Sequence, residues 1–96
     1  MTYEWYPAKA AANLKKHRVS FEEAASVFLD ASALTFWDPD HSVEENREIT
    51  IGRSAQQRIL FVAHVSRDDT IRIISARRAT SRERRQYEEG IDEATR

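Results

Sequence analysis

Cysteine is absent from the 96 residues, which excludes a disulfide frame and a thiolate site and fits a reducing compartment. Glycine and proline occur only twice each, and no linker, internal repeat or low-complexity tract interrupts the chain. No apolar run approaches a membrane span, and the opening MTYEWYP lacks the apolar core of a signal peptide, so a cytoplasmic protein without membrane contact is expected. Neither sign of charge dominates: the net charge is −1. An indiscriminately basic nucleic-acid binder is thereby disfavoured, and any phosphate-binding surface must be local. The length suits one small domain spanning 1–96. A hydrophobic content of 41% and a charged content of 32% describe a globular domain with a modest core.

Against this even background one stretch is strongly biased. Ile71–Tyr87 (IRIISARRATSRERRQY) carries Arg72, Arg77, Arg78, Arg82, Arg84 and Arg85, with Glu83 as its single acid. Twelve of the 15 basic residues of the chain are arginine, whose planar fork suits phosphate better than the point charge of lysine. Concentration of these arginines on one strand–helix junction is the footprint of a phosphate-binding surface. Arginines paired with acids brought near by folding would give the same pattern.

The periodicity orders the rest. Residues 3–5 read as a short added edge strand. Pro7 stands at a helix start, where its missing N–H costs nothing, and 7–17 reads as a helix with Ala10, Ala11 and Leu14 inward and Lys15, Lys16 and His17 in the last turn. Ser20 and Glu23 form a capping box for a second helix ending near Asp30. The period then changes to two. Residues 33–37, 47–52, 58–65 and 70–76 read as four strands joined by short turns, hence an antiparallel meander. Thr80 and Glu83 form a second capping box, and a C-terminal helix follows with Ala79, Tyr87, Ile91 and Ala94 as a thin apolar side. The class is therefore α+β, with two N-terminal helices, a four-stranded antiparallel sheet and a C-terminal helix. Trp5, Phe36 and Trp37 are expected in the core.

Trp5–Lys9 (WYPAK), Asn13–His17 (NLKKH) and Val19–Ala24 (VSFEEA) resemble the N-terminal half of the BrnT toxin family. Asp38–His41 (DPDH), Glu45–Arg47 (ENR), Gly52, Arg72–Arg77 (RIISAR), Glu83–Arg84 and Tyr87 match the remainder in the same order. The resemblance implies a RelE-like fold and a ribonuclease toxin of a type II toxin–antitoxin pair. It implies RNA as substrate and a ribbon-helix-helix, BrnA-like antitoxin as partner, in a heterotetramer of two toxins and two antitoxins. Two positions depart from the family pattern. Tyr6 stands where aspartate is usual, which removes the expected cap before Pro7. Arg18 stands where glycine is usual, after the first helix, where a left-handed backbone is expected.

RNA cleavage without metal needs a base for the ribose 2′-OH, an acid for the leaving 5′-oxygen, and cations for the phosphate. Arg72 and Arg77 are the leading cations, with Arg47 beside them, and Lys16, Arg78 and Arg84 are candidate substrate contacts. Glu45, His17 and His41 are the leading proton-transfer candidates, with Glu83 and Tyr87 as others; Tyr87 is equally a candidate substrate contact and a core residue. Strict strand alternation puts Arg72 on the face of Ile74 and Ala76 and turns Arg77 to the opposite face. Glu45 and Arg47 share a face by the same rule. His64 should share a face with Leu60 and Val62 as a hydrogen-bonded core histidine. The block DPDHSVEE lacks the glycine and spacing of a calcium loop, so neither metal nor cofactor is expected. A non-enzymatic nucleic-acid-binding or protein-interaction module using Arg72–Arg85 is the alternative.

Overall fold

The computed structural model describes residues 1–40 and 46–94, the side chains of 91–94 excepted. Its elements run β1 (Thr2–Glu4), α1 (Pro7–His17), α2 (Phe21–Ser26) with a 3-10 turn Val27–Leu29, β2 (Leu34–Trp37), β3 (Arg47–Arg53), β4 (Ile59–Arg67), β5 (Thr70–Arg78) and α3 (Ser81–Ala94). One sheet holds all five strands in the order β1-β5-β4-β3-β2. The meander from β2 to β5 is antiparallel, as the turn chemistry predicts. β1 adds to the outer side of β5 in parallel, making the sheet mixed.

Helices cover both faces. Val19, Phe21, Ala24 and Val27 pack on Leu60, Val62, Ile71, Ile73 and Ala76 beneath α1 and α2. On the other face Tyr87 of α3 packs on Ile49, Ile51 and Ala63. Glycine at position 52 is dictated by close approach: a Cβ there would lie 2.8 Å from Val27 Cγ1 and 3.0 Å from Ala33 Cβ.

Local signals act mostly as read. Ser20 Oγ accepts the Glu23 N–H at 3.0 Å, and α2 with its 3-10 turn stops at Asp30. Yet the Glu23 carboxylate does not complete the box. It is buried and accepts from Ser54 Oγ (2.7 Å) and Arg58 Nε (2.9 Å), joining α2 to the β3–β4 turn. Arg18 adopts the left-handed backbone expected of glycine, with φ 59°. His64 is buried beside Phe28, and its Nε2 lies 2.7 Å from Thr50 Oγ1.

Three expectations are corrected. Ala10 packs on the core as expected, but Ala11 is exposed, Leu14 is half exposed, and the buried residue of α1 is Asn13. The Asn13 amide donates to the carbonyls of Ala76 (2.8 Å) and Val19 (2.9 Å) and accepts the Ala76 N–H (3.1 Å). β1 reaches only as far as Arg72 along β5, so Asn13 satisfies strand groups that a longer β1 would have paired. Phe36 and Trp37 are not core: they are 38% and 61% exposed. They lie on β2, the outermost strand. Third, alternation along β5 breaks. Ala63 pairs with Ser75 but His64 with Ile73, so Ile74 is an extra residue, a β-bulge. Ile71, Ile73 and Ala76 therefore all face α1 and α2, while Ile74 faces α3.

Candidate active site

The bulge decides where the arginines point. Before it, Arg72 shares the α3 face with Ile74; after it, Ala76 faces away and Arg77 joins Arg72. Strict alternation had placed Arg77 on the opposite face.

One rung of the sheet crosses four strands as Glu4, Arg72, Val65 and Arg47. Side chains on a rung project to the same face, so Arg72 and Arg47 flank Val65 with backbones about 10 Å apart, two strand spacings. Glu4, Asn46, Ser66, Arg67 and Arg72 line a cavity of about 590 Å³ at this end of the sheet. A smaller notch of about 100 Å³ lies between Glu4, Trp5, Tyr6 and Arg72. The Arg72 guanidinium carbon is 5.8 Å from the centre of the Tyr6 ring.

Arg77 is held rigidly. Its guanidinium lies 4.0 Å above the Phe61 ring and makes a two-pronged pair with Glu83, Nη1 to Oε1 at 2.8 Å and Nη2 to Oε2 at 3.0 Å. Glu83 simultaneously accepts the Thr80 N–H at 2.9 Å, while Thr80 Oγ1 accepts the Glu83 N–H at 3.2 Å. The predicted capping box is thus complete, and it fixes Arg77 to the start of α3. Burial pushes the Glu83 carboxyl up, but the bonds from Arg77 and Thr80 outweigh this and leave it below its ordinary value. Glu83 is therefore ionised at neutral pH.

Other expected site residues are distributed differently. Arg84 is exposed on α3. Tyr87 is buried, and its hydroxyl donates to Asp30 Oδ2 at 2.6 Å. Burial first, and Asp30 second, raise its pKa. It anchors α3 to the 3-10 turn and is not presented on the open face. Lys16 is exposed and His17 half-buried at the end of α1, on the opposite side of the sheet. Arg78 pairs with Leu60 in the ladder and shares that opposite side. These three lie across the sheet from the face that carries Arg47 and Arg72 on one rung and Arg77 four rungs away. His41 and Glu45 lie outside the described residues. Glu4, Tyr6 and Arg67 escape a reading of the arginine-rich stretch, because only the parallel pairing of β1 with β5 brings Glu4 and Tyr6 beside Arg72. Among the described residues no group of three His, Asp or Glu side chains could hold a metal ion, and no helix is long and apolar enough to cross a membrane.

A mixed sheet between helices, with three arginines directed to one face, defines a small α+β protein equipped to meet phosphate. The chain belongs to the BrnT family, the ribonuclease toxins of type II toxin–antitoxin systems, whose sequence profile matches residues 5–83. It is accordingly an enzyme, with RNA as substrate and a cognate antitoxin as protein partner. Among solved structures it is similar to the crystal structure of the ribonuclease toxin BrnT of Brucella abortus. Identity is 21%, the TM-score is 0.65, and the match covers 84% of this chain and all of that one. That likeness establishes the shared fold. No curated protein matches the chain.

Proposed function

We propose that this toxin cleaves RNA internally without a metal, by transesterification on the face that carries Arg47, Arg72 and Arg77. The carrying observation is the rung that sets Arg72 and Arg47 on either side of Val65, with the bulge turning Arg77 to the same face. Arg72 and Arg47 would grip the non-bridging oxygens of the scissile phosphate, where negative charge grows in the transition state. Arg77, its orientation set by Glu83, lies beside Phe61, four rungs from the Arg72–Val65 rung and so about 13 Å along the sheet, where it would hold another phosphate of the same RNA strand. The ribose 2′-oxygen attacks phosphorus and gives its proton to a base. The bond to the 5′-oxygen breaks, and that oxygen takes a proton from an acid. The products are a 2′,3′-cyclic phosphate and a free 5′-OH. Glu45, two residues before Arg47 in sequence, and His41, both outside the described residues, are the candidates for the base and the acid. Lys16, His17 and Arg78, on the opposite side, take no part in this step.

In this proposal the protein acts in the cytoplasm, has a RelE-like fold and is neutralised by a ribbon-helix-helix antitoxin in a two-plus-two assembly, as the family resemblance implies. The mass of the co-expressed complex tests that assembly.

Cleavage of a defined RNA by purified protein, in EDTA and in magnesium, tests the mechanism. Equal cleavage in both, with cyclic-phosphate ends, is expected. Arg72→Ala should slow it about 100-fold or more, the range for removing one oxyanion partner, and Arg77→Ala about 10-fold through lost positioning of the strand. Cleavage only in magnesium, or undiminished rates in both variants, would overturn the proposal.

A further inference from the structure

Tyr6 occupies the N-cap of α1 without acting as a cap: its backbone is extended and no side-chain hydrogen bond closes the helix end. Capping residues at such a position are worth about 1 kcal/mol, so tyrosine here sacrifices stability. Nor does its ring repay this in the core, since the residue is 57% exposed. What the ring meets is the Arg72 guanidinium, across a notch whose remaining walls are Glu4 and Trp5. Glu4 is the ladder partner of Arg72, so its carboxylate and that guanidinium start from adjacent points on the same face. Glu4 and Arg72 line both the notch and the larger cavity.

We propose that this notch is a nucleobase subsite that sets where the RNA is cut. The proposal rests on the reading of Arg72 as a phosphate ligand. A base adjoining the phosphate on Arg72 would stack on Tyr6, as unpaired bases do on exposed aromatic rings. Glu4 can only accept hydrogen bonds when ionised, so it selects bases by their N–H donors. Guanine presents two adjacent donors on its Watson–Crick edge, N1–H and the 2-amino group, matching the two oxygens of one carboxylate. Uracil presents one donor between two carbonyl oxygens that a carboxylate repels. Tyr6 is thus a positioning residue and Glu4 a specificity-determining one, with guanosine favoured.

The test has two arms. In the first, the full-length protein is titrated with guanosine and uridine 3′-monophosphates and with inorganic phosphate, following the Tyr6 ring signals, or in Tyr6 variants the Arg72 Nε signal, by NMR. Guanosine monophosphate should bind more tightly than uridine monophosphate, and both more tightly than phosphate. Tyr6→Ala should weaken both nucleotides about 10-fold, Tyr6→Phe should leave them unchanged, and Glu4→Gln should erase the preference for guanosine. Nucleotides that bind no better than phosphate, or equally well to Tyr6→Ala, overturn the proposal. In the second arm, cut sites are mapped on an RNA of random sequence. A guanosine preference lost in Glu4→Gln is expected, with KM raised more than kcat is lowered in Tyr6→Ala. Nucleotide binding at the notch without any RNA cleavage would support the subsite and defeat the ribonuclease mechanism. Cleavage at the same sites and rates in both variants would defeat the subsite and leave that mechanism standing.

Discussion

Single residues hold this fold where the apolar core is thin. Glu23 is buried with its carboxylate between Arg58 and Ser54. The hydrogen bond from Arg58 is the main reason its pKa is lowered, and burial opposes it. Glutamine keeps the shape but loses the charge-assisted bonds to a partner that water can still reach, so Glu23→Gln should cost about 1.5–3 kcal/mol, read from urea denaturation at pH 7.5. His64 behaves in the opposite sense to a paired histidine. Desolvation lowers its pKa from 6.5 to about 4, so the folded state holds it neutral while the unfolded chain takes up a proton. Stability is therefore full above pH 6.5, falls as the pH drops, and levels near pH 4 with a loss on the order of 3 kcal/mol. The lowered carboxylates Glu23, Asp30 and Glu83 lose their contribution further down, below their ordinary values of 4.5 and 3.8. Denaturation midpoints between pH 7.5 and 4 should show the first slope in the native protein and lose it in His64→Leu. At this scale the sequence is partly legible. The strand period identifies His64 as a core histidine. Asn13 is not legible, because its role depends on where β1 ends against β5, a long-range fact that no helical period records.

Elements join where their end signals do two jobs. Thr80 and Glu83 are readable as a helix start from four consecutive residues, and the structure makes that box. What the box also does, clamping Arg77, depends on the Ile74 bulge that swings Arg77 onto the α3 face. A bulge inserts a residue without any change of composition, so alternation read along the strand errs from that point onward. Arg47 and Arg72 were legible as candidates; their company with Arg77 was not. The double use of Glu83 yields a discriminating variant. Glutamine serves the capping box as well as glutamate but lacks the charge that fixes Arg77. Glu83→Gln should shift stability by no more than about 1 kcal/mol yet slow RNA cleavage about 10-fold through misorientation of the guanidinium. A thermal melt beside a single-turnover rate checks both halves. A large stability loss with unchanged rate would make Glu83 purely structural.

On the scale of the whole molecule, a net charge of −1 coexists with an arginine-bearing face on which Glu83 pairs with Arg77 and Glu4 stands beside Arg72, and other acids act away from it. Glu23 neutralises Arg58 beneath α2, and Asp30 caps the far end of the sheet with Arg53 and Tyr87. Arg47 and Arg72 lie at the other end of the sheet near Arg67, Arg77 lies four rungs along the same face, and Lys16 and Arg78 lie behind the sheet. Binding to RNA should then show a salt dependence set by this local group and not by the total charge. For single-stranded RNA the slope of log K against log salt is about −0.7 for each phosphate neutralised. Three engaged arginines give about −2, and one more phosphate contact gives about −3. Arg72→Ala should lower the steepness by about 0.7, whereas Arg78→Ala, on the opposite side, should leave the slope unchanged. Fluorescence anisotropy of a non-cleavable 2′-O-methyl RNA between 50 and 300 mM salt measures both slopes. Equal losses from Arg72→Ala and Arg78→Ala would mean that the RNA wraps the sheet edge and touches both sides. A loss from Arg72→Ala alone would confine the RNA path to the face that the bulge builds.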